Sequence, residues 1–308
     1  MSIPKGFRER LIHLHYCSGG DSDFICKVLV KDPELLLMYG WSESEWLRVF
    51  PKRKSLAPQV YQGLAKRPYH LIASSLSEKG IQVVTVEDDG YPKLLKEIYD
   101  PPLCLYTKGN VSYLTMTSFL AVVGTRWPSG YASQAIDFLM APLKESGIVI
   151  VSGMAEGVDA LAHQKAMSLG LPTIAVLAFG FDHLYPSKNR DLYARLQADE
   201  LTVTEFPPYM KAEKWHFPKR NRLISGLCQA VLITEAKKRS GSLITADCAM
   251  SQNRDVFSIP GRIDNPVSEG TNRLIQQGAK LILTGEDLLN EFPESECAGK
   301  KSKRVAKH

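Results

Sequence analysis

Residues 121–132, AVVGTRWPSGYA, run from a short apolar segment through Gly124, Thr125 and Arg126 into a serine and glycine that can open a helix. A β-branched run too short for a helix, then a tight loop and a helix start, is the first half of a strand–helix–strand unit. The same alternation recurs on both sides. From Ile81 onward the short apolar runs QVVTV, LCLYTKG, FLAVVG, IVIVSG, TIAVLAFG, LTVTEF, AVLITEA, DVFSIPG and KLILTG are separated by helical patterns. Continuous apolar strands interleaved with amphipathic helices specify a mostly parallel sheet covered on both faces, because a solvated face would show alternating polar positions. The sequence therefore predicts a doubly wound, Rossmann-like α/β domain over residues 80–293.

Residues 1–75 follow another grammar. FRERLIHLHYC, DSDFICKVLV and ESEWLRVF have helical spacing, broken by the turn CSGGDS and by Pro33, Pro51 and Pro58, which predicts a small all-helical domain. With 308 residues, 44% hydrophobic and 23% charged, the chain has globular composition and the length for two domains. The formal charge of +5 resides in the segment GKKSKRVAKH, where Lys300, Lys301, Lys303, Arg304 and Lys307 meet no acid. Without these five of the 38 lysines and arginines, cations and the 33 carboxylates balance, so any anion site must come from local arrangement. Residues 294–308 are expected to form a disordered basic tail. The cysteines form no C-x-x-C pair, and no run is long and apolar enough for a signal peptide or membrane span. These features predict no zinc site, no disulfide framework and a reduced, cytoplasmic location.

In a doubly wound sheet, ligands bind beyond the carboxyl ends of the strands, where strand order reverses. VGTRW presents Gly124, Thr125 and Arg126; VSGMAEGVDALAH presents Ser152, Gly153 and Gly157; EAKKRSGSLITAD presents Lys237, Lys238, Arg239, Ser240, Gly241 and Ser242. Small residues let backbone N–H groups approach an oxyanion closely, and cations add charge. GFDHLYPSKNRDLYARL adds Lys188, Arg190 and Tyr193. An aromatic three residues beyond a cation suits base stacking beside a phosphate, with packing in the helix–sheet layer as the alternative. FPKRNRLISGL, residues 217–227, places Lys219, Arg220, Asn221 and Arg222 at a helix start. Unpaired N–H groups already make that end positive, so the cations there suggest either a bound anion or simply solvated surface charge.

Signals for catalysis are thin. Neither G-x-G-x-x-G nor G-x-x-x-x-G-K-[ST] occurs, which argues against a dinucleotide cofactor and a P-loop NTPase. Asp159 and His163, one helical turn apart, are an acid–base pair or a structural hydrogen bond. Glu205 and Glu235, at strand ends in VTEF and ITEA, are expected to brace cations of neighbouring loops. No serine has a triad partner. The reading is of a non-enzymatic protein that uses no metal and no cofactor.

Taken in order, VGTR, SGMAEGVDALAH, FGFDHLYPSKN, FPKRNRLISGL, EAKKRSGSLITA, RDVFSIPG and GTNRLIQQGAKLI resemble the motifs of the bacterial DNA-processing protein A family, DprA or Smf, over roughly residues 80–285. The resemblance implies an extended Rossmann domain preceded by a helical domain similar to a sterile-alpha-motif fold. It also implies a homodimer that binds single-stranded DNA, protects incoming strands and helps RecA displace a single-strand-binding protein during natural transformation. The family's DNA-binding arginine in G-[ST]-R falls on Arg126. The basic residue after YPxxN falls on Arg190, where lysine is frequent in the family; the change keeps charge and alters hydrogen-bond geometry. Many relatives have a C-terminal winged-helix domain, which this chain is expected to lack.

The family's dimer and RecA contacts are implied to lie between TADCAMSQNRD and GTNRLIQQGAKLI, where Cys248, Met250, Leu274 and Ile275 are candidates; burial inside the domain is the alternative. The competing functional reading is a nucleotide-processing Rossmann enzyme of the phosphoribohydrolase type. The P-G-G-x-G-T loop of those enzymes is replaced here by RSGSLITAD.

Overall fold

The structure, a computed structural model, describes residues 3–292. The expected tail, residues 294–308, lies outside them. Five helices come first: α1 (Phe7–Cys17), α2 (Ser22–Lys31), α3 (Glu43–Val49), α4 (Leu56–Lys66) and α5 (Tyr69–Glu78). Local chemistry sets their starts. The Asp21 carboxylate accepts from Phe24 N–H to open α2, and Ser42 and Glu45 form a reciprocal capping box at α3. Pro58, which the sequence marks as a break, instead sits in the first turn of α4. An N–H there has no intrahelical acceptor, so its loss is tolerated. The helices enclose Leu14, Phe24, Trp46, Phe50 and Val60, and Cys104 from the sheet shares this core.

The apolar runs all become strands of one nine-stranded sheet: β1 (Gln82–Thr85), β2 (Cys104–Gly109), β3 (Phe119–Val123), β4 (Val149–Ser152), β5 (Thr173–Val176), β6 (Leu201–Thr204), β7 (Ala230–Ile233), β8 (Asp255–Ser258) and β9 (Lys280–Leu281). The spatial order is β1-β2-β6-β5-β4-β3-β7-β8-β9. Pairings from β6 across to β9 are parallel, whereas β2 pairs antiparallel with both β1 and β6. The parallel part begins at β3, winds outward through β4, β5 and β6, then returns to β7 beside β3 and winds the other way. Strand order therefore reverses between β3 and β7.

Side-chain alternation within each strand feeds two separate cores. Ala121, Val123, Val151, Val176 and Ile233 face one side, while Leu120, Val122, Ile150 and Leu232 face the other. On the first side lie α6 (Lys93–Lys96), α10 (His216–Gly226), α11 (Gly241–Ser251) and α12 (Glu269–Gln276), through Leu95, Leu223, Ala246 and Leu274. On the second lie α7 (Gly130–Met140), α8 (Val158–Leu169) and α13 (Gly285–Leu289), through Ile136, Ala162 and Leu288. α9 (Arg190–Asp199) packs Leu192, Tyr193 and Leu196 against Ala175 and Leu177. Both faces being covered, strands such as FLAVV carry no polar position.

One buried ion pair fixes α10 against the end of β6. Glu205 is fully buried, with Oε2 2.5 Å from Arg222 Nη2 and 3.5 Å from Lys219 Nζ. Arg222 also reaches the Asp100 carboxylate at 3.0 Å and donates to the Asp100 carbonyl at 2.8 Å. Burial pushes the Glu205 carboxyl up, and the two cations oppose that shift. Arg222→Ala is expected to lower stability by about 3 kcal/mol, since it leaves the buried Glu205 carboxylate with Lys219, 3.5 Å away, as its one remaining cation; a denaturant midpoint equal to the parent's would contradict this.

Buried imidazoles make the fold acid-sensitive. Desolvation pulls His13 down to about 4 and His15 and His163 down to about 3. The unfolded chain takes up these protons below about pH 6.5 while the folded chain does not, so stability falls as pH drops from there. Glu205 and Asp159, whose carboxyls burial pushes up, act in the opposite sense. The unfolding free energy is expected to drop between about pH 7 and pH 5, and less steeply in His163→Gln. A flat profile would contradict the assignment.

Candidate nucleic-acid interface

The loops after β3 and β7 meet where strand order reverses, and with the start of α10 they wall a cleft of about 560 Å³. The β3 loop contributes Gly124, Thr125, Arg126 and Trp127; the β7 loop contributes Lys237 and Arg239–Ser242. Lys214, Phe217, Arg220 and Asn221 close the third side. Among its lining residues Arg126, Lys214, Arg220, Lys237 and Arg239 are cations, against the single carboxylate of Asp159. In a chain whose body is electrically balanced, this concentration is local and directed.

Arg220 is the floor of the arrangement. Its guanidinium is buried, and Nη1 donates to the Gly153 carbonyl at 2.6 Å and the Val176 carbonyl at 2.5 Å, at the ends of β4 and β5. Burial draws its pKa down to about 10, so it remains charged at neutral pH. Asp159, at the start of α8, accepts from Gly153 N–H at 3.1 Å and Ala155 N–H at 3.4 Å. Burial pushes its carboxyl up, with Arg220 the main opposing charge.

The glycines here serve the packing of loops on each other. A Cβ on Gly153 would lie 2.4 Å from Arg220 Nη1. Gly157 has φ +81°, and a Cβ there would lie 2.4 Å from the Thr125 carbonyl, a conformation and an approach that other residues do not tolerate.

Several expected contacts are therefore placed elsewhere. Ser152 is buried and donates to the Val122 carbonyl at 2.7 Å, and the Gly153 N–H is taken by Asp159, so neither group is open to an anion. Asp159 and His163 are not an acid–base pair. Thr173 Oγ1 donates to the Ile150 carbonyl and accepts from His163 Nδ1 at 2.7 Å, which makes His163 a structural residue. Glu235 accepts from Ser129 N–H at 2.9 Å and Ser129 Oγ at 2.5 Å, bracing the β3 loop without a cation. The cations of α10 diverge: Arg220 lines the cleft, while Lys219 and Arg222 turn to Glu205. They do not form one basic surface.

Arg126 is exposed, with its guanidinium carbon 5.6 Å from the centre of the Phe217 ring. Ser240 caps α11 by accepting from Ser242 N–H at 3.4 Å, and exposed Gly241 begins the helix at the cleft. Its first N–H groups, together with Arg239 and Lys237, make an anion-attracting wall. Lys188 and Arg190 are exposed beyond the cleft lining, Lys188 at 3.4 Å from Glu156.

Tyr193 is 8% exposed and packs against Phe179 at 6.3 Å, so its ring is not presented for stacking. The accessible rings are Trp127, 74% exposed, and Tyr185, 44% exposed, beside half-buried Phe217. The signal for Trp127 lay in its position directly after Arg126; Tyr185 and Phe217 are brought there by tertiary folding alone.

At the β9 edge, Met250 and Leu274 line a groove of about 220 Å³. Met250 is exposed, Cys248 and Ile275 are half-buried, and Leu274 belongs to the core. Among the described residues no group of three or more His, Cys, Asp or Glu is placed to hold a metal, and no helix is long and apolar enough to cross a membrane.

Comparison with known proteins agrees with this architecture. The model of the DNA recombination-mediator protein A family matches residues 82–293. The DNA processing protein DprA of Bacillus subtilis (strain 168) is 41% identical over 243 residues, which cover 79% of this chain and 81% of that protein. The X-ray structure of DNA processing protein A from Streptococcus pneumoniae superposes with a TM-score of 0.78 at 36% identity, over 95% of this chain and 99% of that one. DNA processing protein A from Helicobacter pylori, whose structure addresses its single-stranded DNA binding mode, superposes with a TM-score of 0.62 at 32% identity, over 68% of this chain and 95% of that one. With the family model matched over residues 82–293 and a relative 41% identical over 79% of the chain, the chain belongs to the DNA recombination-mediator protein A family.

Proposed function

We propose that the protein is a non-enzymatic, single-stranded DNA-binding recombination mediator, and that the strand lies in the cleft between the β3 and β7 loops. The observation that carries this reading is the lining of that cleft: five cations against one buried carboxylate, a helix N-terminus and exposed rings at one switch point. Cations and backbone N–H groups bind phosphate regardless of sequence, and exposed rings stack on unpaired bases. The single-stranded DNA binding of the Helicobacter pylori relative supports the same ligand. Arg126 and Arg239 are the phosphate contacts within the cleft, and Arg190 extends the path toward α9.

The reading continues to a mediator that shields incoming strands in the cytoplasm and assists RecA against a single-strand-binding protein during natural transformation. Exposed Met250, which lines the groove beside β9, and half-buried Cys248 and Ile275 are the residues offered to a second copy or to RecA. Leu274 supports that surface from beneath.

Binding is tested by fluorescence anisotropy with a single-stranded oligonucleotide across a salt series. Affinity is expected to fall steeply with salt, and Arg126→Ala and Arg190→Ala each to reduce the salt slope by about one, their combination nearly abolishing binding. Folded variants that bind like the parent would place the site elsewhere.

The partner reading is tested by sedimentation and by RecA filament assembly on coated strands. A dimer at micromolar concentration and faster assembly are expected. A monomer that leaves assembly unchanged would remove the mediator role while leaving DNA binding intact.

A further inference from the structure

The loop between β6 and α10, residues 205–215, runs along the carboxyl edge of the sheet from β6 back to the cleft, and β6 lies three strands from β3. Three strand spacings are about 14 Å. At one end of the loop Lys214 lines the cleft, whereas Trp215, 56% exposed, lines a groove of about 890 Å³ between the sheet and the helical domain. At the other end Tyr209 lines the same groove and donates its hydroxyl to the Tyr16 carbonyl of α1 at 2.5 Å. Arg67, directly after α4, is exposed, and its guanidinium carbon lies 5.6 Å from the centre of the Tyr209 ring. The buried His13 ring donates to the Arg67 carbonyl at 2.8 Å and fixes its backbone.

The charges along this path point one way. Lys211 and Lys214 are exposed, and neither they nor Arg67 form an ion pair among the described residues. The neighbouring carboxylates are engaged. Asp182, whose N–H donates to the Pro208 carbonyl, pairs with Lys79 at 2.6 Å, and Glu213 accepts from the Trp215 indole at 2.5 Å. Asp21, Asp23 and Asp100 line the groove itself, which keeps a polyanion at its rim.

Resting on the reading of the cleft as a single-stranded DNA site, we propose that a strand longer than the cleft continues over the β6–α10 loop onto the helical domain. Trp215 stacks a base there, and Lys211 and Arg67 take phosphates. An exposed indole between cations is the combination that holds a single strand without reading its sequence. A guanidinium stacked on a ring keeps its N–H edge for phosphate, so the Tyr209 contact orients Arg67 without consuming it. The helical domain thereby becomes part of the DNA-binding surface.

The test compares oligo-dT strands of about 6 and about 20 nucleotides, by anisotropy with the full chain across a salt series. The short strand is held by the cleft alone, so the long strand isolates the extension. Trp215→Ala is expected to weaken the long strand by about fivefold or more. Arg67→Ala and Lys211→Ala are each expected to flatten its salt slope by about one, and all three to leave the short strand unchanged. Arg67→Ala also removes the contact with Tyr209; Lys211→Ala carries the same readout without touching that contact. Arg126→Ala is expected to weaken both strands. Variants that bind the long strand with the parent's affinity and slope, or that weaken both strands alike, would overturn the extension while leaving the cleft standing. Failure of the parent to bind either strand would overturn both.

Discussion

The buried guanidinium of Arg220 is the interaction on which the site depends. It spans the carbonyls of Gly153 and Val176, at the ends of β4 and β5, from a position on α10. A cation in that position cannot be left unpaired, and here carbonyl oxygens and the nearby Asp159 carboxylate satisfy it. The geometry has consequences on both sides. The loop after β4 must carry glycine at position 153, since any side chain would occupy the guanidinium's space. The loop after β3 is drawn close enough that Gly157 lies under the Thr125 carbonyl. Arg126 is thus displayed at the cleft by a packing arrangement centred several residues away.

Two kinds of positive charge are separated by this design. Arg222 and Lys219, with Glu205 and Asp100, are neutralised within the protein and fasten α10 to β6. Arg126, Lys237 and Arg239 stay exposed around the start of α11. Buried cations are held by fixed oxygens, whereas exposed ones exchange water and counterions for phosphate, and the entropy of counterion release then drives association. In the function proposed above, nearby rings would turn a general attraction for polyanions into one for strands whose bases are free to stack.

Much of the fold was legible because its signals are local. Strands buried on both faces must be continuously apolar, and each apolar run after Ile81 became a strand. The position of the cleft followed from the rule for doubly wound sheets. The roles of individual residues were less legible, because those depend on which way a side chain turns. FPKRNRLISGL shows three cations in four positions, yet helical geometry sends Arg220 and Arg222 to different sides. Tyr193 satisfied a spacing rule for stacking but lies on the core side of α9. Phe217 and Tyr185, far apart in sequence, became neighbours only through tertiary folding. Pro58 read as a break because a proline within the first turn looks the same in sequence as one that ends a helix.

A single strand of DNA in the cleft between the β3 and β7 loops would use the exposed cations, the rings and the helix N-terminus at once. A structure of the protein with a short single-stranded oligonucleotide measures this directly. Phosphates are expected on Arg126 and at the N-terminus of α11 beside Arg239, with bases against Trp127 and Phe217. A strand bound along α9 or the helical layer, leaving the cleft without DNA, would contradict that placement.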